Sequence, residues 1–173
     1  MRDDEVNFDA AERLHALSDV GIDPLRIAVV GCRQYDNYDF FSERFVHYVN
    51  ELKELYPGRP FEFYSGGAPG IDSMIEDYCA DHGYTFTAID ADWDKHGKAA
   101  GFIRNQQLAE RVGVVLVFWD GQSTGTKDMR DRCFELRRRV RTVRIETTPK
   151  RYYSRRLKAG FKERGSHDRL RSA

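Results

Sequence analysis

The chain has 173 residues, of which 40% are hydrophobic, enough to bury one continuous core and too few for a second full domain. No stretch approaches the roughly 18 consecutive apolar residues of a membrane span, and the acidic segment from Met1 to Asp9 lacks the apolar run of a signal peptide, so a cytoplasmic protein with no membrane partner is expected. Net charge is zero but unevenly spread: 17 of the 28 Lys and Arg residues and only 6 of the 28 Asp and Glu residues lie from Lys127 onward, leaving that stretch at +11 and the remainder at −11.

Along the chain, Ala10, Leu14 and Leu17 share one helical face before Gly21 and Pro24 break the pattern, which predicts a short helical extension over 1–24. Ile27 to Val30 is apolar on both faces and ends at Gly31, the pattern of a buried parallel strand. Phe41, Phe45, Val49, Leu52 and Leu55 then fall at helical spacing within Asp39 to Tyr56, and Pro57-Gly58 stops that helix before a strand at Phe61 to Tyr64. The cycle repeats with a helix over Ile71 to His82, a strand over Tyr84 to Ile89, a helix over Gly97 to Arg111 and a strand over Val112 to Trp119. A last helix, Thr126 to Arg139, leads to a strand at Arg141 to Ile145. Strands alternating with crossover helices predict an α/β, Rossmann-like, doubly wound parallel sheet over 25–147, in the order 3-2-1-4-5, with helices on both faces. The segment 148–173 reads as a basic extension. Cys32, Cys79 and Cys133 stand far apart with no metal-ligand spacing, so reduced thiols and no metal site are expected.

In such a sheet ligands bind beyond the carboxyl ends of the strands where the strand order reverses, here between the first and fourth strands. The first strand ends in Gly31-Cys32-Arg33. The fourth ends in Asp120-Gly121-Gln122-Ser123-Thr124-Gly125-Thr126, which runs into a helix whose first N–H groups suit an anion. The second strand also ends in glycines, Ser65-Gly66-Gly67-Ala68-Pro69-Gly70, and opens a helix with Asp72 in its first turn. Neither loop is a Walker A motif or a strict G-x-G-x-x-G fingerprint, which argues against ATP hydrolysis and ordinary dinucleotide oxidoreduction. The third strand is followed by Asp90 to Asn105, a stretch rich in polar groups, with Trp93 suited to stack on a base or to cover the core edge, and Arg104, within the predicted helix, suited to a phosphate or carboxylate. His96 has no carboxylate or nucleophile at a recognisable spacing.

Taken in order, Gly31-Cys32-Arg33, then Ser65-Gly66-Gly67-Ala68-Pro69-Gly70-Ile71-Asp72, then Ala91-Asp92-Trp93-Asp94 with Gly97-Lys98-Ala99-Ala100-Gly101 and Arg104-Asn105, then Gly125-Thr126 with Asp128-Met129, resemble the YspA-like family of the SLOG superfamily. The resemblance runs from about Ile27 to Ile145. It implies a Rossmann-like domain similar to LOG phosphoribohydrolases and to the DNA processing protein A core, binding a nucleotide or nucleotide-derived signal. In LOG enzymes an arginine and a glutamate serve cleavage of an N-glycosidic bond, and the matching positions here are Arg104 and Asp128. The second acid of that motif is replaced by Met129, and its Gly-Gly pair by Ser123-Thr124.

The residues and the resemblance together predict a nucleotide-binding sensor or sequestering module, the nucleotide being ligand rather than cofactor. Gly31, Arg33, Ser65, Gly66, Gly67, Gly70, Asp72, Trp93, Lys98, Arg104, Asn105, Gly121, Thr124, Gly125 and Thr126 form the expected binding set. The alternatives are a LOG-like nucleoside-monophosphate hydrolase using Arg104 and Asp128, and a nucleic-acid-binding accessory protein using the basic extension. A second copy of the chain is a further expected partner.

Overall fold

A computed structural model describes residues 23–147; the predicted helix at Ala10 to Leu17 and the basic extension lie outside the described residues. The elements alternate as β1 (Leu25–Gly31), α1 (Tyr38–Leu55), β2 (Phe61–Ser65), α2 (Ile71–His82), β3 (Thr85–Ala88), α3 (Trp93–His96), a 3-10 turn (Gly97–Ala99), α4 (Ala100–Arg111), β4 (Val114–Trp119), α5 (Thr124–Glu135) and β5 (Arg139–Arg144). All four strand pairings are parallel and the order is β3-β2-β1-β4-β5, as expected from the sequence. β1 is central, with Ile27 opposite Val114 on one side and Leu25 opposite Phe61 on the other.

Because successive strand residues point to opposite faces, β1 and β4 feed two separate cores. Ile27, Val29, Leu116 and Phe118 pack against Phe41, Phe45 and Leu52 of α1 and Ile71, Ile75 and Tyr78 of α2. Ala28, Val30, Val115 and Val117 pack on the other face against Leu108 and Ala109 of α4 and Met129 and Cys133 of α5. The first layer is aromatic, with Phe45 centred 5.1 Å from Phe63 and 4.8 Å from Tyr78, and Phe41 5.2 Å from Phe118. The three cysteines are free and buried. Among the described residues, no helix is long and apolar enough to cross a membrane.

Helix boundaries depart from the sequence reading in two places. The expected helix Gly97 to Arg111 begins as the one-turn α3, capped by the Asp92 carboxylate accepting from Lys95 N at 3.0 Å, and passes through the 3-10 turn before α4. The expected helix Thr126 to Arg139 starts two residues earlier and stops at Glu135. Its end is set by Arg137, which takes a left-handed φ of 54°, while Arg138 N returns to Cys133 O at 2.8 Å. Glycine is the usual residue for that conformation, so an arginine there gives no stop signal. β5 therefore begins at Arg139 rather than Arg141.

Candidate functional site

A cavity of about 660 Å³ opens at the carboxyl ends of β1 and β4, the switch point of the sheet. Its walls come from the ends of β1 and β4, the β2–α2 loop, α3, the first turns of α4 and the start of α5. Close packing shapes the floor. A Cβ on Gly31 would lie 2.6 Å from Cγ1 of Ile71 and 2.7 Å from the Phe118 carbonyl, and one on Gly70 would lie 2.4 Å from the Cys32 carbonyl with φ already at +81°.

The two glycine loops, alike in sequence, differ in structure. In the β2–α2 loop, Oδ2 of Asp72 accepts from Gly66 N at 3.0 Å and Ala68 N at 3.3 Å, and Ser65 Oγ accepts from Gly67 N at 3.3 Å. Asp72 is only 4% exposed. Burial pushes its carboxyl up to about 6, against the opposing pull of these N–H groups and of the Arg104 charge. The loop thus carries its own anion.

At the β4–α5 loop, Asp120 Oδ1 accepts from Gln122 N at 2.9 Å and Ser123 N at 2.8 Å, and Thr147 Oγ1 donates to Oδ2 at 2.7 Å. Partial burial opposes ionisation of Asp120, but the Ser123 and Gln122 N–H groups and the Thr147 hydroxyl outweigh it and hold the carboxyl at about 2. Trp119 Nε1 donates to Ser123 O at 3.0 Å, fixing the turn from its other side. Lys127 N closes the first helical bond to Ser123 O. The amides of Thr124, Gly125 and Thr126 just before it find no acceptor among the described residues. A Cβ on Gly125 would meet nothing within 4 Å.

Asn105 ties α4 to α5. It is buried, accepts from Arg104 Nε at 3.1 Å, and donates to Gly125 O at 3.1 Å and to Asp128 Oδ2 at 2.9 Å. Arg104 also donates through Nη1 to Gly66 O, bridging α4 to the β2–α2 loop. Burial lowers the pKa of Arg104, opposed chiefly by the charge of Asp72. Asp128 is not on the cavity wall. Its carboxylate, shared by Asn105 and Arg132 Nε at 2.9 Å, lies beside a smaller groove of α5 that includes Lys127, Asp131 and Glu135.

The mouth is aromatic and cationic. Trp93 is 50% exposed and Phe102 46%, and both line the cavity with Arg33 and Lys98. The Arg33 guanidinium stands 5.8 Å from the Trp93 ring centroid. Neither Arg33 nor Lys98 has a carboxylate partner among the described residues.

Of the expected binding set, Gly31, Arg33, Gly66, Asp72, Trp93, Lys98, Arg104, Asn105, Thr124, Gly125 and Thr126 line one cavity. Ser65, Gly67, Gly70 and Gly121 are not on its wall: Ser65 is fully buried, Gly67 and Gly121 are exposed, and a Cβ added at Gly67, Gly70 or Gly121 would run into Asp90, the Cys32-Arg33 backbone or Arg144 respectively. The wall also includes Gln34, Phe102, Asp120, Gln122 and Thr147, which the sequence reading did not select. Phe102 was recoverable as a large apolar residue off the buried stripe of α4. Thr147 carried no signal, since only the tertiary bond to Asp120 brings it to the rim.

The fold and site define an α/β protein with a Rossmann-like parallel sheet and a cavity at its switch point. No family description, curated protein or solved structure matches the chain. Among the described residues, no cluster of His, Cys, Asp or Glu is arranged to hold a metal ion.

Proposed function

We propose that this protein binds a nucleotide or nucleotide-derived ligand in the switch-point cavity, as a sensor or sequestering module. The observation that carries the reading is the row of three amides at Thr124, Gly125 and Thr126, without an acceptor among the described residues, on the wall of a cavity whose mouth carries Arg33 and Lys98. The amides and the helix dipole take the phosphate end, the cations screen its charge, and Trp93 or Phe102 offers a face to the base. The volume falls in the range of roughly 300–1,000 Å³ common for small-molecule sites. The SLOG resemblance points the same way.

Binding is favoured over N-glycosidic cleavage because Asp128, the carboxylate that cleavage would use, is engaged by Asn105 and Arg132 and stands off the cavity wall. The test is a thermal-shift screen of nucleoside mono-, di- and triphosphates, cyclic nucleotides, ADP-ribose and NAD, with Lys98→Ala and Trp93→Ala in parallel. A ligand at a hundred times its Kd adds about 2.7 kcal/mol to stability. A shift diminished in both variants supports the reading; no shift with any compound refutes it. Free base appearing on chromatography of the same mixtures would restore the hydrolase reading.

A further inference from the structure

We propose that Asp72 is a specificity-determining residue, its carboxylate filling the second of two anion positions at the cavity so that the site accepts one phosphate-type group and rejects a polyphosphate chain. The inference rests on the anionic-ligand reading above and deepens it.

A β-strand, a glycine-rich turn and a helix form an anion cradle because the turn aims successive N–H groups at one point. Two such turns meet this cavity. At the β4–α5 turn the amides of Thr124, Gly125 and Thr126 have no acceptor among the described residues. At the β2–α2 turn the amides of Gly66 and Ala68 converge on one oxygen of Asp72, and that of Gly67 is taken by Ser65. All three N–H groups are therefore satisfied before any ligand arrives.

Displacing that occupant is unfavourable for two reasons. The carboxylate is tethered to the first turn of α2 by a short side chain and is almost wholly buried, so it has no solvated alternative position. The nearby cation is engaged as well: Arg104 donates to the carbonyl of Gly66 in the same turn and lies in the field of Asp72. A second phosphate directed toward this turn meets a carboxylate and filled amides, a repulsive element of the kind that sets specificity. A single phosphate at the α5 amides, screened by Arg33 and Lys98, meets neither.

The test uses the full chain and isothermal titration at neutral pH without divalent metal. The mono-, di- and triphosphates of one nucleoside are compared, with orthophosphate, pyrophosphate and tripolyphosphate as base-free probes. Like-charge juxtaposition costs enough that the single-phosphate compound should bind at least about tenfold more tightly than its triphosphate, and Asp72→Asn, which keeps an acceptor but removes the charge, should bring that ratio close to one. Asp72→Ser serves if the Asn variant does not fold. Triphosphate binding as tight as or tighter than monophosphate binding by the wild type overturns the assignment, as does an unchanged ratio in the folded variant; neither result touches the nucleotide reading itself. Absence of binding by every compound removes both.

Discussion

Replacing Asn105 by alanine tests whether one side chain holds the two halves of the site together. The substitution removes an acceptor for Arg104 Nε and donors to Gly125 O and Asp128 Oδ2, at distances of 2.9 to 3.1 Å. Two of these bonds involve a charged partner, each worth about 1.5–3 kcal/mol, and the third is a neutral bond worth about 1 kcal/mol. Arg104 is half-buried and recovers only part of its hydration, whereas Asp128 keeps Arg132 and partial exposure. The net cost is therefore about 3 kcal/mol, less than the sum of the separate bonds. For a fold of this size that lowers Tm by about 10 °C. Urea unfolding measures the free energy directly, and a cycle with Asp128→Ala should show about 1 kcal/mol of coupling. A loss below about 1 kcal/mol, or strict additivity with Asp128→Ala, would refute the view that Asn105 joins α4 to α5.

Acid titration separates the two cavity carboxylates. Asp120 is held at about 2 against an ordinary 3.8, so it contributes about 2 kcal/mol that is present above pH 4 and lost as pH falls toward 2. Asp72 is raised from 3.8 to about 6, so its unfavourable burial as an anion, present at neutral pH, is relieved as pH falls from about 6 to about 4. Tm should thus rise and then fall on acidification, the rise vanishing in Asp72→Asn and the fall shrinking in Asp120→Asn; a monotonic decline from neutral pH would contradict the assignment. Gly70→Ala forces a left-handed φ of +81° and a 2.4 Å approach to the Cys32 carbonyl, and should cost about 3 kcal/mol by urea unfolding. Gly125→Ala, where the added Cβ meets nothing, should change stability by less than about 1 kcal/mol while weakening binding of any nucleotide found in the screen.

The sheet was legible because its signals are apolar runs. Ile27 to Val30 and Val114 to Phe118 are buried on both faces, a pattern that short central parallel strands supply, and right-handed crossovers then leave few arrangements. Boundaries set by single side-chain or backbone contacts were not legible. The left-handed Arg137 that ends α5 has no compositional mark, because an arginine after a helix is an ordinary surface residue.

The site was legible as a place and illegible as a set of roles. Topology alone puts the ends of β1 and β4 together, which is why Arg33, Trp93, Arg104 and Thr126 meet although far apart in sequence. What a glycine-rich loop does with its amides depends on where the next acidic side chain turns. Asp72, in the first turn of α2, reaches back to Gly66 and Ala68. Asp128 lies a turn further into its helix than Asp72 does and bonds Asn105 and Arg132, so the loop before α5 keeps its amides without an acceptor among the described residues. That difference follows from position and neighbours: Asp72 sits in the first turn of α2, within reach of the Gly66 and Ala68 amides, while Asp128 is held at 2.9 Å both by Asn105 of α4 and by Arg132 of its own helix. On the proposed reading, removing the charge of Asp72, rather than adding or removing glycines, is therefore the change that would alter how many anionic groups the cavity can hold.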